Sequence, residues 1–355
     1  MQKRNTFQFL SGFERLVSRF RLPLLIAGLG LLIMVPFMGI SRVNMRLMMM
    51  ILLYAMLGLG LNVLIGYTGQ VSLGHAGFYA IGAYANAILT TGYGFGFWEA
   101  ALAGACIAAL VGLLLGMPTL RLSGTYLTIV TLGFGEIILM VLKQWDGLTN
   151  GNFGIRGIPK PMLFGQELTL PNGGLYWLIL ALSLLTALAS FLIRYSKTGR
   201  AFIAIKEDAL AATMMGIKTV RFKILAFVIS AFITGLAGAY YSVINNGYIE
   251  PTNFTFNISV QIISVVIIGG LGTIRGMYFG AVLLIVFPQV FRFLDQWRFV
   301  IYGVLLVVMM QFRPQGAMGW QSTLPYRLSG RVRKRLGIPA QSAPPAQGGH
   351  SDADV

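Results

Sequence analysis

The sequence predicts an all-α protein, a polytopic membrane helix bundle with about ten transmembrane helices, including a broken or re-entrant segment. Hydrophobic residues make up 56% of the 355 residues, charged residues make up only 11%, and the mean hydropathy is +0.74. A soluble domain carries about 25% charged residues. So few polar side chains would not cover a soluble globule of this length, which excludes a cytosolic enzyme. The 44 glycines fit closely packed membrane helices, in which small residues let two backbones approach.

The individual spans follow from apolar runs of membrane length, because a spanning helix needs about 20 residues. These runs lie between residues 23 and 312, which form the predicted transmembrane domain. The shorter runs near its end are expected to be tilted, or to be half-helices in a protein-lined cavity. The predicted spans are about 23–40, 47–65, 71–90, 98–117, 125–143, 175–193, 224–244, 257–273, 277–293 and 298–312.

Basic residues set the predicted orientation. The segments 1–22, 118–124, 194–223, 273–276 and 313–355 contain 20 of the 27 lysines and arginines. By the positive-inside rule these segments face the cytoplasm, so both termini are cytoplasmic and 1–22 is a cytoplasmic N-terminal segment. The basic, proline-rich residues 313–355 are expected to form a disordered tail that can meet anionic membrane lipid. The net charge of +16 is therefore an orientation signal, and nucleic acid is not an expected partner.

A polar, glycine-rich stretch, GYTGQVSLGHAGF, interrupts the apolar runs at residues 66–78. Irregular backbone at membrane depth is tolerated only beside protein or a water-filled cavity, and broken helices often mark a translocation site. On this interpretation Gln70, Ser72 and His75 are candidate pathway residues. The alternative is an ordinary short loop between two spans. A single histidine without a second ligand is more often packed and hydrogen-bonded than a metal or proton site.

The run 125–143 carries polar residues inside an apolar segment. Thr128 and Thr131 belong to a threonine stripe that repeats every third residue, and Glu136 lies well inside the run. A carboxylate within the membrane is costly and by default indicates function. Thr128, Thr131 and Glu136 are therefore further candidate pathway residues. The alternative is a structural glutamate that closes a helix contact, with Arg275 as its partner.

The cytoplasmic loop 194–223 is expected to contain one or two short helices, with Gly216 as a natural helix stop. Four apolar residues are spaced to share one helix face, namely Ile203, Leu210, Met214 and Ile217. An apolar, methionine-bearing face outside the membrane requires a partner surface, such as a groove of another protein. The alternative is that this face packs against the chain's own helix ends or the lipid headgroups.

Two further patterns concern helix contacts and loops. Gly272, Gly276 and Gly280 form a double small-xxx-small pattern, which predicts a helix crossing or a bend. The stretch 149–159, TNGNFGIRGIP, has turn residues at short intervals and predicts a structured outer loop. That loop is either a docking surface or a plain connection.

The sequence also excludes several kinds of chemistry. It contains no GxxxxGK[ST] phosphate loop, so the chain is not expected to hydrolyse nucleotide itself. It contains no HExxH and no GxSxG motif, so it is not expected to be an enzyme. The one cysteine, Cys106, permits neither an intrachain disulfide nor a CxxC pair. No cofactor and no metal are expected.

Five collinear stretches resemble the LivM-type permease subunit of branched-chain amino-acid ABC importers. The resemblance covers roughly Leu57 to Gln289. It implies four kinds of partner, namely a paralogous permease subunit, two ATP-binding subunits, a periplasmic amino-acid-binding protein and the lipid of the bacterial inner membrane. It leaves other amino acids, urea and short amides open as ligands. The matching stretches are GYTGQVSLGHAGFYAIGAY, RLSGTYLTIVTLGFGEI, TNGNFGIRGIP, TGRAFIAIKEDALAATMMGI and IIGGLGTIRGMYFGA.

The resemblance further implies that residues 200–217 couple the chain to an ATPase. The general "EAA" importer pattern is not matched, because the spacing from Glu207 to Gly216 is too long. The expected coupling residues are Ile203, Lys206, Glu207, Asp208, Leu210, Met214 and Gly216.

The sequence thus predicts one half of a translocation pathway, driven by separate ATPases and lined by the candidate residues of 66–78 and 125–143. The rival interpretation is a stand-alone secondary transporter in which Glu136 and His75 relay protons. The apolar helix face of the cytoplasmic loop separates the two classes, because a lone carrier needs no helix aimed at a partner.

Overall fold

The computed structural model describes residues 41–119, 124–163, 165–169 and 173–290, together with a few positions between 300 and 317. The predicted N-terminal segment 1–22 and the predicted span 23–40 lie outside these residues. So do most of the predicted span 298–312 and nearly all of the tail 313–355.

The described chain is an all-α bundle, as predicted. Six of its helical segments are long and apolar enough to cross a membrane, and a shorter apolar helix covers Ile274–Gln289. The total of about ten spans remains a prediction. The main helices are α1 (Arg42–Asn62), α2 (His75–Thr91), α3 (Phe97–Thr119), α4 (Thr125–Gln144), α5 (Gly174–Tyr195), α6 (Lys197–Glu207), α7 (Ala209–Met214), α8 (Thr219–Ile244), α9 (Phe256–Gly269) and α10 (Ile274–Val290).

Three predicted boundaries differ from the observed ones. The predicted span 71–90 begins as a helix only at His75, because the residues before it are not helical. The predicted span 257–273 ends at Gly269, because Gly270 has a φ of 115° that stops the helix. Helix α8 begins at Thr219 rather than at residue 224, so the end of the predicted loop 194–223 is helical. Long basic side chains reach water from a helix end, which lets α8 start within a charged stretch.

Helix α1 lies at the centre of the bundle, and all of its residues from Leu52 to Asn62 are buried. A π-helical turn, Val63–Tyr67, continues it. Helices α1 and α8 are antiparallel, because Arg46 near the start of α1 donates to the Ile244 carbonyl at the end of α8 at 3.1 Å. Farther along, the Ser230 hydroxyl of α8 donates to the Gly60 carbonyl of α1 at 2.7 Å.

Glycines permit the closest helix contacts. A Cβ atom on Gly82 of α2 would collide with the backbone of Gly235 of α8, and one on Gly104 of α3 would lie 2.8 Å from the Gly82 carbonyl oxygen. A Cβ on Gly112 of α3 would lie 2.6 Å from the Ala231 side chain of α8. These contacts replace side-chain packing by direct backbone approach, as in other membrane helix pairs.

Two helix pairs of the bundle run in opposite directions. Helix α2 runs alongside α8 in the same direction, and α9 runs alongside α1 in the same direction, as the Tyr54–Gln261 hydrogen bond and the contact of Gly58 with Val265 show. Because α1 and α8 are antiparallel, the pair α1–α2 is inverted relative to the pair α8–α9. A Gly-Tyr pair follows the first helix of each pair, and its glycine, Gly66 or Gly247, precedes the next helix by nine positions.

Short β-ladders cover the end of the bundle where α8 finishes. Strand β1 (Ile155–Arg156) pairs antiparallel with β4 (Tyr248–Ile249), and β2 (Met162–Leu163) pairs with β3 (Gln166–Glu167). The stretch 149–159 is a structured loop that contributes β1. The Arg156 guanidinium lies over the Tyr248 ring, 5.0 Å from its centroid.

The glycine contact between α2 and α8 generates a prediction. Gly82→Ala should lower the thermal unfolding temperature of the detergent-purified protein by several degrees, because the new methyl group collides with backbone that cannot move without separating the helices. Gly133→Ala in α4 is the matched control, because a Cβ there meets no atom within 4 Å. Equal unfolding temperatures for the two variants would contradict the packing described.

Candidate functional site

The segment between the π-helical turn and α2 runs inside the bundle. Gly69, with a φ of 73°, lies against Lys206 of α6 near the membrane end of the cytoplasmic loop. His75, six residues on, contacts Ser230, which lies eleven residues into α8. At 1.5 Å per residue this is roughly 16 Å along α8. The chain therefore rises to about the middle of the bundle before α2 begins, as a re-entrant segment does.

The burial of this segment alternates as in an extended strand. Thr68, Gln70, Ser72 and Gly74 are buried, whereas Gly69 and Val71 between them are exposed. Alternating side chains of an extended chain point to opposite faces. One face of the re-entrant segment is thus packed into the protein, and the other is open, which does not fit an ordinary surface loop.

Two hydroxyl groups hold His75 in place. Because the Ser230 hydroxyl donates to Gly60, its oxygen accepts from the His75 Nε2–H, 2.7 Å away. The Nδ1 atom lies 3.2 Å from the Ser72 hydroxyl. Both ring nitrogens therefore have a partner, and the ring packs edge-on against Phe78. His75 is a structural connector between the re-entrant segment, α2, α8 and α1.

Hydroxyl groups of other helices accept hydrogen bonds from backbone N–H groups around the start of α2. The Leu73 N–H donates to Thr131 Oγ1 of α4 at 3.1 Å, and the Ala76 N–H donates to Ser259 Oγ of α9 at 3.0 Å. Backbone N–H groups at a helix start would otherwise attract anions. Because side chains occupy these donors, the start of α2 offers little to a ligand carboxylate.

The structure brings some of the predicted pathway residues together and leaves others apart. Ser72, His75 and Thr131 belong to one buried cluster. Thr128 is half-buried and its hydroxyl lies 3.3 Å from Gly124 O of its own helix. Glu136 is half-buried on α4.

Two further residues of the sequence prediction, Gln70 and Arg275, lie in different surroundings. Gln70 is buried, with its Oε1 atom 3.2 Å from the Thr68 hydroxyl. Arg275, the expected partner of Glu136, is exposed at the start of α10. In the described ranges no hydrogen bond or ion pair joins Glu136 to Arg275 or to His75. The expected structural pairing of Glu136 with Arg275 is therefore not formed.

Three polar residues of this region were not singled out from the sequence, namely Asn62, Ser230 and Ser259. Each lies in a predominantly apolar run, and each is fully or almost fully buried. Isolated amide and hydroxyl groups inside predicted spans are the signal that could have identified them, because such groups require partners in the membrane.

Two basic side chains bind carbonyl groups near the end of α1. The Lys206 ammonium donates to the Gly66 carbonyl at 2.9 Å, and the Arg194 guanidinium donates to the Gly272 carbonyl at 2.6 Å. The Gly272 N–H donates to Asn62 Oδ1 at 2.8 Å. Burial lowers the pKa of Lys206, while Glu207 opposes and Arg194 reinforces this shift. We call the contact between Lys206 and Gly66 the lysine bridge.

The glycines of the small-xxx-small pattern belong to two features. Gly276 and Gly280 lie in α10 against the backbone of Gly269 and Val265 of α9, so close that a Cβ atom would collide. Gly272, with a φ of 78°, lies in the turn before α10. The pattern thus covers both a bend, at Gly272, and a helix crossing, at Gly276 and Gly280.

The predicted loop 194–223 contains two helices separated at Asp208. The backbone of Asp208 is extended, with φ −155° and ψ 110°, and its Oδ1 atom caps α7 by accepting from the Leu210 N–H at 2.8 Å. Gly216, with a φ of 83°, follows the last turn. Lys206 and Glu207 are exposed on α6, although the Lys206 ammonium reaches back to the bundle.

The continuous apolar face expected for this loop is interrupted. Ile203 and Ile217 are half-buried against the bundle, whereas Leu210 is 69% exposed and Met214 is 78% exposed. The interruption follows from the extended backbone at Asp208, which changes the chain direction between α6 and α7. The adjacent Met215 is 83% exposed. Leu210, Met214 and Met215 form the apolar knob, as we call it below.

A membrane bundle with a re-entrant segment and an apolar knob outside its spans has the architecture of a transport permease that works with other subunits. The family model described as "Branched-chain amino acid transport system / permease component" matches residues 43–310. The chain belongs to this family.

Its relatives include three permease proteins of branched-chain amino acid transport systems. The high-affinity branched-chain amino acid transport system permease protein LivM of Salmonella typhimurium is 39% identical over 80% of this chain and 71% of its own length. LivM of Escherichia coli K12 is 38% identical over 83% and 74%, respectively. LivH of the same strain, also named a permease protein of this system, is 26% identical over 75% and 91%. No solved structure matches.

The hydrogen bonds of His75 lead to a prediction. His75→Ala should lower the unfolding temperature strongly, because it removes two buried hydrogen bonds and leaves a cavity, together worth about 2–5 kcal/mol. His75→Gln should restore part of this loss, since an amide can still donate to Ser230. Uptake by the Gln variant should persist with an unchanged pH profile. A fully stable Gln variant without uptake would support the proton relay instead.

Proposed function

We propose that this chain is the permease subunit of an ATP-binding-cassette importer for branched-chain amino acids in the bacterial inner membrane. It forms half of the translocation pathway. The observation that carries the proposal is the lysine bridge, which joins the re-entrant segment to the helix pair that bears the apolar knob. The similarity to LivM and LivH, permease proteins of branched-chain amino acid transport systems, supports the choice of ligand.

The proposed partners follow from the role of the chain as one permease subunit of an importer. LivM and LivH are both permease proteins of the same kind of system, and both are related to this chain. We therefore infer that a paralogous permease subunit provides the other half of the pathway. Two ATP-binding subunits bind the cytoplasmic side, and a periplasmic amino-acid-binding protein delivers the ligand to the outer side. This orientation places both termini in the cytoplasm.

The apolar knob is the proposed contact with an ATP-binding subunit. Leu210 and Met214 expose large apolar side chains on a short helix that lies outside the spans. Flexible methionine side chains adapt to partner surfaces. The capping of α7 by Asp208 gives the knob a fixed conformation. Glu207 and Gly216 flank this contact, the first before α7 and the second after it.

Movement of the knob would reach the re-entrant segment through few contacts. Helix α6 follows any displacement of α7, because one residue, Asp208, separates them. Lys206 on α6 holds the Gly66 carbonyl, where the chain leaves α1. The packed side of the re-entrant segment ends in the His75 cluster. A nucleotide-driven shift of α6 would thus alter the re-entrant segment, which is a rearrangement of a packed element and not a diffuse change.

We further propose that the half-buried face of α4 lines the pathway through Thr128 and Glu136, and that Ser72, His75 and Thr131 hold the re-entrant segment beside it. Gln70 lies where this segment begins to rise. The hydroxyl groups around the start of α2 leave no free donor cluster for a tight carboxylate site. A weakly held ligand can leave readily, so selectivity rests with the binding protein.

Reconstitution tests the proposed function. The complete complex in proteoliposomes, supplied with ATP and the binding protein, should accumulate leucine, isoleucine or valine. The same chain alone under an imposed proton gradient should not. Accumulation by the chain alone, insensitive to ATP, would establish the stand-alone carrier. If the complex takes up another amino acid or urea but no branched-chain amino acid, the proposed identity of the ligand is wrong.

The apolar knob gives a prediction for coupling. The double variant Leu210→Asp and Met214→Asp should abolish most uptake and weaken retention of the ATP-binding subunits during purification, because charged groups cannot be buried in an apolar contact without a large cost. The control is Leu210→Met with Met214→Leu, which conserves volume and apolarity. The unfolding temperature of the permease should stay within about 2 °C of wild type, since surface substitutions change stability little. Normal uptake by the Asp variant would contradict the coupling role.

The lysine bridge gives a separate prediction. Lys206→Met keeps the aliphatic part of the side chain but removes the donor to Gly66. The ATP-binding subunits should still assemble, and ATP hydrolysis should continue while uptake per ATP falls several-fold. Lys206→Arg should recover a large part of the uptake, because a guanidinium can donate to the same carbonyl. Unchanged uptake per ATP in the Met variant would show that the bridge does not transmit movement.

A further inference from the structure

A basic cleft lies beside the helix pair but apart from the apolar knob. It has a volume of about 540 Å³ between the start of α6, the turn after α7 and the first turn of α8. Four cationic residues line it, namely Lys197, Arg200, Lys218 and Arg221. No carboxylate is among its lining residues, and Phe222 and Ile217 provide an apolar wall.

The position of the cleft relative to the spans is informative. Lys197 follows the end of α5 at Tyr195 by two residues, and Arg221 lies in the first turn of α8. Both helices are of membrane-spanning length and apolarity. The cleft therefore lies where two spans emerge, which is the depth of the phospholipid headgroups. A purely aqueous ligand would not need this position.

The surface next to the cleft is apolar where the spans begin. On α5, Leu192 is 60% exposed and Tyr195 is 54% exposed. On α8, Val220 is 52% exposed and Leu225 is 39% exposed. Acyl chains could lie on these side chains while a headgroup occupies the cations. The combination of an apolar strip and a cationic cleft matches an amphiphile more closely than a free phosphate.

The cations of the cleft differ in the partners that they have within the protein. The Arg200 guanidinium lies 3.3 Å from the Tyr195 carbonyl and so caps α5. The other three have no carboxylate within ion-pair distance in the described part of the chain. A cluster of like charges without acidic neighbours attracts anions, and basic pockets between helices on the cytoplasmic side suit anionic lipid headgroups.

We propose that this basic cleft binds the headgroup of an anionic phospholipid of the cytoplasmic leaflet, such as phosphatidylglycerol. The phosphate lies among the ammonium and guanidinium groups, and the acyl chains follow the exposed apolar side chains of α5 and α8. The inference depends on these helices spanning the membrane and is independent of the transported ligand. An acidic segment of an ATP-binding subunit is the competing occupant.

The test measures lipid-induced stabilisation of the purified full-length chain in zwitterionic detergent. Short-chain phosphatidylglycerol is titrated while the unfolding temperature is followed, with phosphatidylcholine in parallel. Lys218→Gln combined with Arg221→Gln should raise the half-maximal phosphatidylglycerol concentration by between about fivefold and thirtyfold, as expected for the loss of one to two cation contacts. Phosphatidylcholine should not distinguish the variant from the wild type.

Three controls make the outcome decisive. Lys160→Gln combined with Lys223→Gln removes the same charge outside the cleft and should shift the midpoint far less. Glycerol 3-phosphate and ATP should not stabilise the protein at equal concentration. An equal shift of the half-maximal concentration in both double variants would mean that lipid binding depends only on net charge, which would overturn the site. Stabilisation by the soluble phosphates would overturn the lipid source, and an unchanged lipid response in the Lys218→Gln, Arg221→Gln variant would overturn the site.

Discussion

The fold depends on satisfying non-helical backbone inside an apolar bundle. Between Val71 and Gly74 the chain is not helical, yet it lies at membrane depth. Each unpaired amide there would cost several kcal/mol. Side chains of two helices accept from the backbone here, Thr131 of α4 from Leu73 and Ser259 of α9 from Ala76, while Ser230 of α8 holds the His75 ring. The arrangement of α4, α8 and α9 around α2 follows from these contacts as much as from apolar packing.

The same requirement explains two basic side chains near the end of α1. The carbonyl groups of Gly66 and Gly272 end their helices or turns close to each other, and a Cβ on Gly66 would lie 2.7 Å from the Gly272 amide nitrogen. Lys206 of α6 and Arg194 of α5 donate to these carbonyls. Lys206 therefore both satisfies the backbone and attaches α6 to the bundle.

Sequence patterns predicted the helices more fully than the polar contacts. Apolar runs identified α1, α3, α4 and α5 closely, because span length is set by membrane thickness. The helix break at Asp208 was not assigned, since its extended backbone depends on capping α7, and so Ile203 and Leu210 were placed on one face. The partner of His75 was missed because Ser230 lies 155 positions away in the chain. Hydrogen bonds between residues far apart in the chain produce no periodic pattern in the sequence. The Gly-Tyr pairs after α1 and α8, in contrast, can be recognised once the helices are known.

The opposite directions of the pairs α1–α2 and α8–α9 do not make the two pairs equivalent. After α1, the Gly66 carbonyl accepts from the Lys206 ammonium. After α8, the Gly247 carbonyl accepts from the backbone N–H of Ile158. One carbonyl is thus bound by a long cationic side chain and the other by backbone, so a displacement of α6 would disturb the first and leave the second in place.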